Sequence, residues 1–274
     1  MLFGNHLCLL RGGGDLATGV ALRLHRAGFP VAVCELAHPL AVRRAVAVAS
    51  ALLDPAGRAS VEGMEARRVA GVHEIQGAAA SGVVPVLTSS NLPPATQIAR
   101  SVVVDARLLK QNPDTTLGDA PLVVALGPGY TAGVDCHAVV ETLRGPDLGR
   151  VIYNGAATAD TGTPGIVGGR SAERVLRAPV DGAASWVRTL GDRVATDEVL
   201  GWVGESPVVS VIDGTIRGLI ADGTYVPAGT KVGDIDPRGD EVAIDRVSDK
   251  ALAVGGGVLE AILTWIGGEE PPKP

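Results

Sequence analysis

Short apolar runs broken by glycine and proline set the rhythm of the chain. Leu7-Cys8-Leu9-Leu10 is continuously apolar and reads as a strand buried on both faces. It runs into Arg11-Gly12-Gly13-Gly14, after which Val20, Ala21, Leu24 and His25 recur at helical spacing and Gly28 ends the helix. Val31-Ala32-Val33-Cys34-Glu35 is a second strand of the same kind. Residues 41–53 then read as a helix or a strand–helix edge, 59–62 and 66–69 as a small hairpin, and 71–81 as a weakly amphipathic helix. Strands follow at 83–87 and 101–105, with Pro93-Pro94 between them, and the clearest later strand is 122–126. It enters a second glycine-rich stretch, Gly127-Pro128-Gly129-Tyr130-Thr131-Ala132-Gly133, and a helix is predicted from about Asp135 to Arg144. This alternation predicts an α/β fold over residues 1–153: an open, mainly parallel, Rossmann-like sheet with helices on both faces. Both glycine loops would then leave strand ends on one edge, where ligands of doubly wound folds bind.

Residues 154–176 change character. The part from 154 to 169 is polar and glycine-rich, and reads either as a linker or as a lid. From 177 to 240 short strands and turns repeat with a fixed offset of 32 residues. Asp181-Gly182 matches Asp213-Gly214, and Gly191, Val194 and Gly201 match Gly223, Val226 and Gly233. Two such β units packed together resemble the biotinyl/lipoyl barrel-sandwich hybrid. Carrier members of that family bear a lysine on the hairpin between the halves. Here that stretch is Val203-Gly204-Glu205-Ser206-Pro207-Val208-Val209-Ser210, and Lys231 sits in a return strand instead. No covalent biotin or lipoate is therefore expected, and the unit reads as a docking or ligand-shielding module. Residues 241–274 predict a turn around Lys250-Ala251, an amphipathic helix from the Gly255-Gly256-Gly257 run onward, and a frayed tail.

Composition narrows the partners. With 274 residues, 46% of them hydrophobic, the chain can bury a sizeable core. A net charge of −6 argues against general nucleic-acid or anionic-membrane binding, which uses positive fields. Cys8, Cys34 and Cys136 form no disulfide or zinc pattern. No basic leader is evident, and no apolar run approaches the ~18 residues of a membrane span, so a cytoplasmic protein is expected. A homo-oligomer is compatible with this composition.

The candidate chemistry starts at the first loop. Gly12-x-Gly14-x-x-Ala17, with Gly13, Asp15 and Leu16 inside it, fits the dinucleotide fingerprint, and Glu35 ends the second strand where an acid meets a ribose hydroxyl. A helix N-terminus there carries about half a positive charge and suits phosphate. The same pattern also serves a purely structural turn. Gly127, Pro128, Gly129, Tyr130 and Thr131 would hold another part of the same ligand. Lys110 is the one lysine before residue 231, fit for phosphate or, if buried, for proton transfer; a surface lysine reads equally well. His137 and Glu141, four apart, would share a helical face and could move protons, though Glu141 pairs as naturally with Arg144. Two such ligands are too few for a metal site. Cys136 would act as a nucleophile only with a lowered pKa. Asp234-Ile235-Asp236-Pro237-Arg238 reads as a capped exit turn or a contact with a partner or ligand.

These pieces resemble one family when taken jointly: residues 11–19 with Arg23-Leu24, the 127–135 loop, Glu141-Thr142-Leu143-Arg144-Gly145, residues 147–152, Thr161-Gly162-Thr163-Pro164-Gly165 and residues 233–238. Together they resemble the YqeB-type accessory proteins of selenium-dependent molybdenum hydroxylase systems. The resemblance implies a role in hydroxylase maturation, with the hydroxylase or other maturation proteins as partners. It is looser toward the xanthine dehydrogenase accessory proteins, which contain a Rossmann domain and are associated with molybdenum cofactor. That cofactor carries a phosphate, or a pyrophosphate when extended by a nucleotide, so a small phosphorylated ligand is expected. Two other readings stand beside it: an NAD(P)-dependent oxidoreductase, and a non-catalytic ligand sensor or scaffold. Cys136 and Pro146 stand where the family pattern leads one to expect a small aliphatic residue and a histidine.

Overall fold

A computed structural model of the chain describes residues 1–160, 162, 168–239 and 242–268. The Thr161–Gly165 motif, apart from Gly162, and the tail beyond residue 268 lie outside the described residues. The chain forms two compact units. One comprises Met1–Pro39, Val48–Asp160 and Val247–Pro274; the other comprises Leu40–Ala47 and Thr161–Arg246. These divisions differ from four consecutive segments at 1–153, 154–176, 177–240 and 241–274. The C-terminal helix belongs with the first unit, and a stretch between the second and third strands belongs with the second.

The first unit is built on a nine-stranded sheet. Its strands are β1 (Cys8–Arg11), β2 (Val31–Glu35), β3 (Arg58–Val61), β4 (Met64–Val69), β5 (Val84–Thr88), β6 (Val102–Asp105), β7 (Leu122–Leu126), β9 (Ala138–Val140) and β10 (Val151–Ile152). A separate pair is formed by β8 (Thr131–Ala132) and β11 (Gly155–Ala156). The order across the sheet is β10-β9-β7-β6-β1-β2-β5-β4-β3. The inner strands run parallel, and only the two edge strands, β10 and β3, are antiparallel. β1, β6 and β7 are wholly buried, which is why their sequences are apolar without alternation, save for Arg11 and Asp105 at the ends of β1 and β6.

The helices are α1 (Asp15–Arg26), α2 (Ser50–Leu53), α3 (Ile75–Ala80) and α4 (Asp249–Gly267). The expectation of helices on both faces is only partly met. On one face α3 and Ile98 cover Leu9, Ala32 and Cys34, but farther along irregular chain and the β8–β11 pair lie over Val103, Val123 and Val139. The predicted helix at 135–144 is absent: β9 occupies its centre, hydrogen-bonded parallel to β7. Burial explains this. Ala138-Val139-Val140 is fully buried, and β-branched residues buried on both sides favour a strand over a one-sided helix. Residues 41–53 likewise form only a 3₁₀ turn at Arg44–Val46 and the single-turn α2.

α4 begins at Asp249, so Lys250-Ala251 opens the helix rather than forming a turn. Ser248 caps it, its side chain accepting the Ala251 N–H at 3.1 Å. It packs on α1 through glycines. A Cβ placed on Gly19 would lie 2.4 Å from the Ala251 carbonyl oxygen, and one on Gly255 2.6 Å from the Gly19 carbonyl oxygen. The two backbones touch, and no side chain fits between them. Among the described residues α4 is also the one helix long and apolar enough to cross a membrane by length and composition. The expectation that no run approaches that length is therefore corrected. Ala251, Val254, Val258, Ala261 and Ile262 are buried along the side that packs on α1 and the sheet.

The second unit contains two four-stranded antiparallel sheets. Its strands are β12 (Val175–Arg177), β13 (Gly182–Trp186), β14 (Arg193–Val194), β15 (Val199–Val203), β16 (Ser206–Val209), β17 (Gly214–Leu219), β18 (Tyr225–Val226) and β19 (Lys231–Asp236). One sheet is β12-β19-β17-β14 and the other β16-β15-β13-β18. The 32-residue offset is visible in the strands: β13, β14 and β15 start 32 residues before β17, β18 and β19. The copies interlock, since β14 pairs with β17 and β18 with β13. Leu200, Val203, Ile216, Leu219, Val226, Val232 and Ile235 share one core. Asp234 and Asp236 are buried in β19 and not in an exposed exit turn. Arg174 bonds Asp234, Arg238 bonds Asp236 at 2.7 Å, and Arg217 lies 3.8 Å from both.

Gly255→Ala is expected to destabilise the protein by about 1–3 kcal/mol, because the methyl meets backbone that cannot yield. Gly256→Ala, where no atom lies within 4 Å of the new methyl, is expected to stabilise it by about 0.5–1 kcal/mol through helix propensity. Urea unfolding of the two variants checks the opposite signs.

Candidate functional site

β1 and β6 lie side by side, yet β1 leads outward through β2 and β6 leads outward through β7. The strand order reverses between them, and such a switch point is where open α/β sheets bind ligands. The first glycine loop leaves β1 at this place. Gly12 has φ +99°, and a Cβ there would lie 3.1 Å from the Ala106 carbonyl oxygen. The loop therefore presses on the chain leaving β6. Gly13 donates its N–H to Glu35 Oε2 at 2.8 Å, and Leu36 donates to Glu35 Oε1 at 2.7 Å. Glu35 is thus tied to the loop's own backbone. Gly14 is the N-cap of α1, with no side-chain cap and no atom within 4 Å of where its Cβ would be. Asp15 opens the helix and accepts the Leu16 N–H at 3.0 Å, while Leu16 and Ala17 are buried beneath it.

Beside this loop sits an ion network that the sequence pattern does not single out. Arg11 is 3% exposed. Its guanidinium lies 3.9 Å from Asp105, donates to Thr115 Oγ1 at 2.9 Å and to Asp114 at 2.6 Å. Arg107 donates to Asp105 and to Asp114, at 2.6 and 2.7 Å. The Thr115 hydroxyl donates to Asp105 at 2.5 Å. Burial pushes the Asp105 carboxyl up, but hydrogen bonds from Arg107 and Thr115 outweigh it and hold it below the usual carboxylate range. The hydrogen bond from Arg11 lowers Asp114 as well.

The second loop is pinned to the same segment. A Cβ on Gly129 (φ +105°) would lie 2.6 Å from the Leu109 carbonyl oxygen. Asn112 Nδ2 donates to Asp135 at 2.9 Å, and Asp135 accepts the Thr131 N–H at 2.8 Å. Gly127 follows β7 with φ +73°, and Pro128 leads to Gly129. The Tyr130 ring is fully buried, and its hydroxyl makes no well-formed hydrogen bond. No helix follows this loop, so the dipole argument applies to the first loop alone.

The other candidates separate. Lys110 is half-exposed and pairs with Asp160 at 3.4 Å. His137 Nδ1 accepts the Val123 N–H at 3.0 Å, and burial lowers its pKa. It shares no helical face with Glu141, because the chain between them is β9. Glu141 is 2% exposed and accepts three backbone N–H groups, from Thr142, Leu143 and Thr158, at 2.6, 2.7 and 2.7 Å. It organises a turn and does not pair with Arg144, which bonds Asp249. Burial pushes the Cys136 thiol up to about 12, the reverse of an activated nucleophile. Lys250, half-buried at the start of α4, feels the charges of Asp15, Arg144, Lys110 and Glu141; burial lowers its pKa. Among the described residues no group of three or more His, Cys, Asp or Glu is placed to hold a metal. A groove of about 350 Å³ lies at the end of β5, lined by Thr88, Ser89, Asn91 and Pro93 among others. Ser89 donates its N–H to the Glu35 carbonyl oxygen at 2.8 Å, placing the groove beside β2 on the same edge.

Asp105→Asn is expected to cost about 3–5 kcal/mol, because it strips a buried charge from Arg11 and Arg107. Asp105, Asp114 and Glu141 all have lowered folded-state pKa values. Their contribution is full above the ordinary carboxylate range, near 4, and is lost as pH falls through and below it. Acid titrations of stability are expected to show that loss in the wild type and a shallower one in Asp105→Asn.

No protein-family model matches the chain. Among solved structures, partial likeness extends to a succinylglutamatedesuccinylase/aspartoacylase from Rhodobacter sphaeroides (23% identity, 24% of this chain and 22% of that one, TM-score 0.23). It extends also to the ectoine utilization protein EutE (DoeB) from Ruegeria pomeroyi (18% identity, 31% and 27%, TM-score 0.22). An aspartoacylase family protein from Mesorhizobium loti aligns over 84% of both chains at 11% identity and a TM-score of 0.27. The chain is 45% identical over 260 residues, 95% of its length, to the uncharacterized protein YqeB of Escherichia coli (strain K12). It covers 48% of that protein, so it spans about half the length of the curated relative it matches. Similarity over nearly all of this chain supports the resemblance to YqeB-type proteins that the glycine-loop motifs carry.

Proposed function

We propose that the chain acts in the cytoplasm as an accessory protein for maturation of a selenium-dependent molybdenum hydroxylase. It binds molybdenum cofactor, or a nucleotide, at the edge where β1 and β6 diverge. One observation carries the reading: Gly14 caps α1 at the switch point with open space where its side chain would be, so a phosphate can approach the helix terminus beside Asp15, whose carboxylate accepts the Leu16 N–H. A phosphate or pyrophosphate would sit at that position, and Lys250, which feels the charge of Asp15, adds a cation near it. The groove beside Glu35 is of a size to take a ring system attached to such a phosphate. We read the second unit as a barrel-sandwich module without a carrier lysine, docking the hydroxylase or another maturation protein, or shielding the labile ligand. The interlocked 32-residue repeats support that reading.

An NAD(P)-dependent oxidoreductase is the second reading, favoured by the Gly12–Ala17 fingerprint. It is weakened because both Glu35 oxygens already accept backbone N–H groups, so a ribose would have to displace them. A non-catalytic ligand sensor or scaffold is the third.

Gly14→Val separates these. The residue's φ of −68° suits any side chain and the space beside it is open, so the variant is expected to fold, with a loss of about 1 kcal/mol because valine is a poorer N-cap than glycine. Its side chain would stand where the phosphate goes. Protein purified from a cofactor-producing host is expected to carry a phosphorylated ligand identifiable by mass spectrometry, at least tenfold depleted in Gly14→Val. Equal or absent loading in both proteins contradicts the proposal; NAD(H) in the wild type favours the second reading.

A further inference from the structure

We propose that residues 107–115 occupy a phosphate site, with the Asp114 carboxylate standing on Arg11 and Arg107 where a phosphate of a bound ligand goes. The inference rests on the reading that this edge binds a phosphorylated ligand, and adds where the charge is met and what must move.

Three observations converge. The first is the receiving pair. Arg11 is almost fully buried, and both it and Arg107 direct an Nη2 at Asp114, at 2.6 and 2.7 Å. Two guanidinium groups gripping one anion is the arrangement that phosphate recognition uses. The second is the quality of the present occupant. Asp114 is 44% exposed and comes from an irregular loop, whereas the other acid of the network, Asp105, is fully buried at a strand end. Of the two acids Asp114 is therefore the one an incoming anion can replace, while Asp105 stays on the buried Arg11 and on Arg107. A phosphate would bring up to two negative charges where Asp114 brings one.

The third is the fit of the loop into the crevice. Ala106 fills the space left by the missing Cβ of Gly12, and Leu109 to Gln111 fill that left by Gly129. The chain makes this passage with Leu108 at φ +58°, a left-handed conformation unfavourable for leucine. Both glycine loops therefore close on a segment of their own chain in this structure. Asn112 holds the segment's bend, accepting the Asp114 and Thr115 N–H groups at 3.2 and 2.8 Å and donating to the Thr115 carbonyl at 2.8 Å. Ligand binding thus exchanges an internal anion for an external one and frees residues 107–115 to rearrange.

The test is calorimetric titration of the whole protein with inorganic pyrophosphate, comparing wild type, Asp114→Asn and Asn112→Ala. Asp114→Asn removes the internal anion, and Asn112→Ala loosens the bend without touching either arginine. Both are expected to bind pyrophosphate at least tenfold more tightly than wild type. If wild type binds and both variants bind equally or more weakly, the inference is overturned while the phosphate reading stands. If no form binds, both fail.

Discussion

The C-terminal edge of the sheet depends on one buried pair, Arg11 with Asp105. Each ends a central strand, and each is almost entirely out of water. Neither charge is tolerable there alone, since a lone buried ion costs several kcal/mol. The pair is also stretched, at 3.9 Å, so it leans on Thr115, Arg107 and Asp114 to complete its hydrogen bonds. This requirement draws the 106–115 segment down into the switch point. It places the segment against both glycine loops and leaves the space beside Gly14, at the start of α1, open.

A second constraint is the contact between α1 and α4. The two helices meet through glycine backbones, which fixes α1 behind the first loop and brings Lys250 to the same edge. The chain spends a 19-residue apolar helix on holding one helix terminus in place. The second unit obeys a different logic. Interlocking of its two repeats gives each sheet strands from both copies, so neither copy has a complete core alone.

Much of this was legible in the sequence. Continuous apolar runs gave β1, β2, β5, β6 and β7, the glycine punctuation gave the α1 start, and the 32-residue offset matched three strands in each copy. The reading of 135–144 as a helix failed because the four-residue spacing of His137 and Glu141 mimicked a helical face. The intervening Ala138-Val139-Val140 run, buried on both sides, decided the matter by tertiary pairing that no local pattern displays. The ion network was missed for a related reason. Arg11 is about a hundred residues from Asp105 and Asp114 in sequence, and only strand order makes Arg11 and Asp105 neighbours. An arginine directly after an apolar run and an aspartate ending another were the available signals. Lys110, singled out for its rarity, pairs instead with Asp160.

Amide hydrogen exchange of the whole protein, with and without saturating inorganic pyrophosphate, tests the central claim most directly. The account predicts slower exchange over residues 12–17, where the phosphate meets the α1 terminus. It predicts faster exchange over 107–115, as Asp114 is displaced. Unchanged exchange in both stretches, or protection confined to residues 177–239, would contradict it.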